Sequence, residues 1–183
     1  MKSLKVFWLG FLALTVAGLL VGCEKMATQS PEVSDSIRKS LDQAGLKDVS
    51  VSQDRDKGVV TLGGHVPADT DKSQAEAIAK AIAAGQVVAN QIAVIPAGDE
   101  KAAKAMNSDL DSGIEKNLDA ALIQNRLHSN VKYDVKNGVV TLTGEVSSNS
   151  VRAQAEQIAT SVPNVKQVVN ELQSKNQKAS SSN

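Results

Sequence analysis

Aromatic residues are almost missing from this chain of 183 residues, which has one Trp, one Tyr and two Phe. Three of the four fall within the first eleven positions, so beyond Phe11 the only ring is Tyr133. Binding of single-stranded nucleic acid leans on stacked rings along a basic groove, and neither is available. Carbohydrate platforms want aromatic faces too, and a Trp/Tyr belt for deep contact with a bilayer interface has no residues to build it. An excess of one charge is also lacking, because 20 Lys+Arg balance 20 Asp+Glu. Cysteine occurs once, at Cys23, which excludes an intramolecular disulfide and a Cys-based metal site. The two histidines, His65 and His128, have no nearby Ser or Asp at a useful spacing and read as surface residues. No Gly-x-Ser-x-Gly elbow and no strand–Gly-rich loop–helix ending in Lys is present. The reading is therefore no enzyme, no metal, no cofactor beyond any covalent lipid, and no small-molecule substrate.

What is there begins with the N-terminus. "MKSLK" carries two Lys and no acid, and an apolar run follows from Val6 to Val21. This is the layout of a secretory signal. A membrane span is the competing reading, but the run is shorter than the roughly 20 residues a span needs. Leu20-Val21-Gly22-Cys23 resembles a bacterial lipobox, in which the Cys receives diacylglycerol and an N-acyl chain and becomes the first residue of the mature chain. A plain signal peptide and an uncleaved anchor are the alternatives. Cleavage before Cys23 removes Lys2 and Lys5 and leaves 18 basic against 20 acidic residues, a net of −2. The segment "EKMATQS" that follows reads as a polar tether, reaching at most about 25 Å when extended. Glu24 is not the Asp associated with inner-membrane retention in enteric bacteria, which favours the outer membrane.

The body of the chain says one thing twice. "GVVTLGGHV" from Gly58 returns as "GVVTLTGEV" from Gly138, and from Gly58 to Ile92 the register with the later copy holds without a gap. Each copy opens with a helical stripe: Val33, Ile37, Leu41 and Ala44 in the first, Ile114, Leu118, Ala121 and Leu122 in the second. Ser30 and Pro31 are placed to cap and begin the first helix, and Gly45 to stop it. A hairpin follows, turning at Asp56-Lys57-Gly58 in one copy and at Asn137-Gly138 in the other, the latter a strong type I′ signal. The next helices share "QAE" at Gln74–Glu76 and Gln154–Glu156. Each copy closes on a strand that carries Asn at the same place, Asn90 and Asn170.

Helix, strand, strand, helix, strand predicts an α+β fold: two α-β-β-α-β units, each a three-stranded mixed sheet with both helices on one face. Val60, Leu62, Gly64 and Val66, with Val140, Leu142, Gly144 and Val146, should face those helices. Gly64 and Gly144 then mark a close approach of a helix backbone. Asn90 and Asn170 are expected to hydrogen-bond a neighbouring loop. Asp54 and Asp56 read as turn residues, Asp69 and Asp71 as helix caps. The divisions are 1–22 signal, 23–31 acylated Cys and tether, 32–96 first unit, 97–108 a partly helical spacer, 109–174 second unit and 175–183 a polar tail.

The repeated Gly-Val-Val-Thr-Leu-x-Gly-x-Val, the "QAE-x-I-A" helix and the Val-Val-x-Asn strand resemble the BON domain over both copies. With the lipobox, the layout is similar to tandem-BON lipoproteins of the Gram-negative envelope and to the osmotic-shock periplasmic family. The resemblance implies an α-β-β-α-β fold, a periplasmic location, binding of phospholipid surfaces and no catalysis. Each unit carries a net charge of −2, with 7 basic against 9 acidic residues in the first and 6 against 8 in the second, so lipid contact needs a local basic patch. Lys116 and Arg126, on the opening helix of the second unit, are the candidates. The expected partners are the membrane, through Cys23, and anionic phospholipid or an envelope protein. A periplasmic chaperone holding client proteins under osmotic stress is the alternative.

Overall fold

The computed structural model describes residues 29–174. The signal segment, the lipidation candidate Cys23, most of the tether and the tail lie outside those residues. Within them each copy makes the expected α+β unit.

In the first unit α1 (Ser34–Gln43) precedes the hairpin β1 (Val49–Asp54) and β2 (Val59–Val66); α2 (Asp69–Ile82) then returns to β3 (Val87–Asn90) and β4 (Ala93–Val94). The second unit repeats this with α3 (Glu100–Gln124), β5 (Val131–Lys136), β6 (Val139–Val146), α4 (Asn149–Thr160), β7 (Gln167–Asn170) and β8 (Gln173–Ser174). β2 is the central strand, antiparallel to β1 and parallel to β3 and β4, and β6 occupies the same place in its sheet. The closing strand of each copy is thus broken in two, where a single strand was expected. At the break Gln91 N still donates to Leu62 O (2.9 Å), while Ile92 N turns to the Oδ1 of Asn90 (3.4 Å). The asparagine side chain competes with the ladder for the backbone.

The faces fall as the alternation requires. Val60, Leu62 and Val66 join Ile37, Leu41, Ala75, Ala79 and Ile92 in one core, and Val140, Leu142 and Val146 join Ile114, Leu118, Leu122, Ala155 and Ala159 in the other. Alanines at the helix–sheet contact let α2 and α4 lie close to the strands.

Two expectations at helix starts are corrected. α1 begins at Ser34, with no cap from Ser30 and no helical turn at Pro31. Those two residues run along the first hairpin instead: Ser30 N donates to Arg55 O (2.9 Å), and Gln53 Nε2 donates to Pro31 O (2.7 Å). With their backbone occupied, the Glu32 carboxylate takes the donors of Ser34. The spacer is partly helical as expected, but its helix, from Glu100 onward, is continuous with the opening helix of the second unit over 25 residues, so that helix starts before the expected boundary at 109. Asp111 on this helix accepts from Asn137 N (2.7 Å) and Gly138 N (2.9 Å), tying it to the second hairpin's turn. Asn137 and Gly138 both have positive φ (52° and 81°), as the type I′ turn requires.

The two units pack together through equivalent positions. Val59 and Ala89 meet Val139 and Val169, their counterparts 80 residues on, in a small apolar cluster. Each hairpin turn reaches the strand break of the other unit: Lys57 pairs with Glu171 (2.7 Å), and Asn137 Nδ2 donates to Gln91 O (2.8 Å). The contact is therefore approximately two-fold, the geometry of an isologous interface within one chain. One bond set breaks the symmetry. The Gln167 amide donates to Val88 O (2.7 Å) and accepts from Asn90 N (3.0 Å), satisfying the free edge of β3.

Candidate functional site

The repeated residues build scaffold. Asn90, buried, donates from Nδ2 to Glu76 Oε2 (2.9 Å) and Lys72 O (3.3 Å). Asn170 does the same with Glu156 Oε2 (2.8 Å) and Arg152 O (3.2 Å). The partner is the preceding helix, not a loop, and the glutamate of each "QAE" is the one engaged. The pairing was readable in principle, since Asn and Glu recur together 14 residues apart. The Asn90 amide, followed by Lys80, holds the Glu76 carboxyl below its ordinary range.

Gly64 and Gly144 also correct an expectation. A side chain on Gly64 would collide with the carbonyl oxygen of Asp48, and one on Gly144 with that of Asn130. The close neighbour is the backbone leading into the first strand of the hairpin, not a helix. Gly58 sits at positive φ (68°) in the first turn, where Asp54 Oδ1 accepts from Asp56 N and Lys57 N. Asp69 begins α2.

Among the described residues no group of three or more His, Cys, Asp or Glu is placed to hold a metal ion. His65 is exposed, and His128 stands beside Asp119 (Nδ1–Oδ1 2.9 Å) at the surface. Tyr133 lies over α3, its hydroxyl donating to Asp119 Oδ1 (3.3 Å); burial, then the Asp119 charge, raises its pKa.

The face of α3 turned to solvent is the most distinctive surface. Of the four exposed large apolar side chains among the described residues, Met106, Leu110 and Ile123 are on α3, and Val87 is the fourth. Leu110, Gly113, Ala120 and Ile123 follow helical spacing and share that exposed side with Lys116 and Asp109. The structure does not bring Lys116 and Arg126 together, since ten residues separate them by about 15 Å along a helix axis. Lys116 is in mid-helix; Arg126 is the first residue beyond the C-cap, at φ 58°. There Leu127 N reaches back to Leu122 O (2.9 Å) and Arg126 N to Ile123 O (3.0 Å). Gly45 makes the same closure after α1, with Leu46 N on Leu41 O (2.9 Å). An arginine thus occupies a left-handed site that the first copy gives to glycine. A groove of about 590 Å³ runs between α3 and α4, lined by uncharged residues including Asn117, Gln154, Gln157, Ile158 and Pro163. No described helix is long and apolar enough to cross a membrane.

The profile of the BON domain matches residues 30–96 and again 110–176. The chain belongs to the BON-domain family. It is 29% identical over 137 residues to osmotically-inducible protein Y of Escherichia coli K12, spanning 74% of this chain and 67% of that relative. Two solved structures of CdsD, a structural protein of the type III secretion system of Chlamydia trachomatis, also match. Both are 16% identical: one, of the C-terminal domain, has TM-score 0.31 over 78% of this chain and 65% of its own, the other TM-score 0.34 over 80% and 95%.

Proposed function

We propose that this BON protein is a non-catalytic lipoprotein on the periplasmic face of the envelope, anchored in the outer membrane by acyl chains on Cys23. Its paired domains form a platform, and the exposed face of α3 lies against the phospholipid surface. The observation that carries this reading is the row of exposed apolar side chains, Met106, Leu110 and Ile123, along α3. Met106, Leu110 and Ile123 together offer apolar area to the headgroup boundary, and Lys116 and Arg126 supply attraction to anionic lipid of about 1 kcal/mol each near the surface. The family membership supports an envelope role without catalysis. The name of the osmotically-inducible relative supports a link to osmotic stress, with the platform maintaining envelope integrity.

The test is cosedimentation of residues 24–183, without acyl chains, on vesicles of phosphatidylglycerol or of phosphatidylcholine at low and moderate salt. Binding to phosphatidylglycerol that weakens with salt and is lost in Lys116→Glu and Ile123→Glu is expected. Arg126→Gly should weaken it while relaxing the backbone. Binding that survives the two Glu substitutions, or none to either vesicle, would sink the role of α3 and leave Cys23 as the sole membrane contact.

A further inference from the structure

The duplication supplies its own control for a second site. Between the two units is a cleft of about 280 Å³ lined by Lys72, Lys80, Glu76 and Asn90 of the first unit and Val139, Lys166 and Gln167 of the second. Three ammonium groups line it with one carboxylate, Glu76, and the charges of Asp69 and Asp111 also reach Lys72 from just outside the lining. The carboxylate is already committed, with Glu76 accepting from Asn90 and paired with Lys80. Lys72 is half-buried and gives Nζ to Ile92 O (2.8 Å). Burial, then the nearby charge of Lys166, lowers its pKa. Lys166 forms no ion pair with any described residue, and the absence of a side chain at Gly138 makes room for its stem.

At the equivalent positions the other copy is neutral. Arg152 replaces Lys72 and spends its guanidinium on Leu172 O and Asn170 O. Glu156 balances it. Thr160 stands for Lys80 and donates to Glu156 O (2.8 Å). Gln86 stands for Lys166 and is turned to Pro31 O (3.1 Å), while the counterpart of Gln167 is the exposed Val87. One cleft of a symmetric pair has gained two net positive charges and a polar rim.

We propose that the cleft between the units binds a phosphate-type oxyanion, held by Lys72, Lys166 and Lys80. Ammonium groups on two domains would close on the anion from both sides. The volume fits a small phosphate or the phosphate of a lipid headgroup and is below the range of ordinary metabolite pockets. The site does not depend on the membrane contact of α3.

The test follows amide resonances of residues 24–183, which include every described residue, during titration with inorganic phosphate at constant ionic strength. Saturable shifts at Lys72, Glu76, Asn90, Val139 and Lys166, and none around Arg152 and Glu156, are expected. Lys166→Gln should weaken binding about tenfold, the worth of one charge-assisted hydrogen bond, whereas Lys101→Gln should leave it unchanged. The Lys166 side chain donates to no described residue, and its backbone bond to Gly138 O is kept by Gln, so this variant remains decisive even if Lys72→Gln unfolds. Vesicles of phosphatidylglycerol separate the sources: the same shifts mean a headgroup phosphate, and their absence means a soluble anion. Unsaturable shifts spread over all lysines, or unchanged affinity in Lys166→Gln, would overturn the proposal. If Lys116→Glu abolishes vesicle binding but leaves the phosphate shifts intact, the membrane reading and this site are shown to be separate.

Discussion

At the scale of single residues, steric contact with a backbone carbonyl ranks the glycines. Gly144 combines φ 124° with the Asn130 carbonyl directly where a Cβ would lie, and Gly64 repeats this against Asp48. A backbone oxygen held in a hairpin cannot yield as a side-chain tip can. Gly144→Ala is therefore expected to cost about 3 kcal/mol or more. Gly45→Ala meets only open space and should cost about 1 kcal/mol through its positive φ alone. Urea denaturation of the two variants measures the gap. The repeat pattern announced these glycines, but sequence position could not say whether a helix or a strand lead-in came close. The Asn–Glu clamp adds a pH dependence. Glu76 has its folded pKa below 4.5, so its stabilising contribution is complete above that value and is lost as pH falls through the folded pKa. Glu76→Gln keeps an acceptor for Asn90 and should flatten the acid limb of stability below about pH 4.5, read from denaturation curves between neutral and acid pH.

At the scale of elements, period decided what was legible. The 3.6-residue stripes of Ile37 and Leu41, and of Ile114, Leu118 and Leu122, located the helices that cover the cores. The alternation in "VVTL" oriented the central strands. Boundaries set by side chains from elsewhere were not legible. Ser30 and Pro31 look like a helix start until the hairpin claims their backbone, and the closing strands look continuous until Asn90 and Asn170 draw off the next amide but one. The spacer carried a helical composition, but nothing in its pattern marked that it runs unbroken into the following helix. Gly113 lies in the middle of that long helix, exposed and with nothing near its missing Cβ. Gly113→Ala should stabilise the protein by about 0.5–1 kcal/mol, and thermal unfolding should shift upward by about 2 °C. No change would indicate that α3 is frayed there in solution.

At the scale of the whole molecule, two small domains share one interface. Each unit has few large side chains and a core of the size that is marginal alone. The cluster of Val59, Ala89, Val139 and Val169, with the Gln167 bridge, lets each stabilise the other. The interface was the least legible feature, because its bonds join residues from 46 to 114 positions apart and the Gln167 bridge uses a side chain that differs between the copies. Gln167→Val places the first copy's residue in the second and removes both bonds to the β3 edge. It should cost about 1–3 kcal/mol and split a single calorimetric transition into two. The same pairing fixes the long helix α3 on one side of the platform, the side proposed to meet the membrane.

The most direct measurement is paramagnetic broadening of amide resonances of residues 24–183 by spin-labelled headgroups in phosphatidylglycerol nanodiscs. The account predicts broadening centred on Lys116, Ala120 and Ile123 and extending along α3 to Leu110. Broadening centred on the hairpin around Lys57, or on α1 and α2 with α3 untouched, would contradict it.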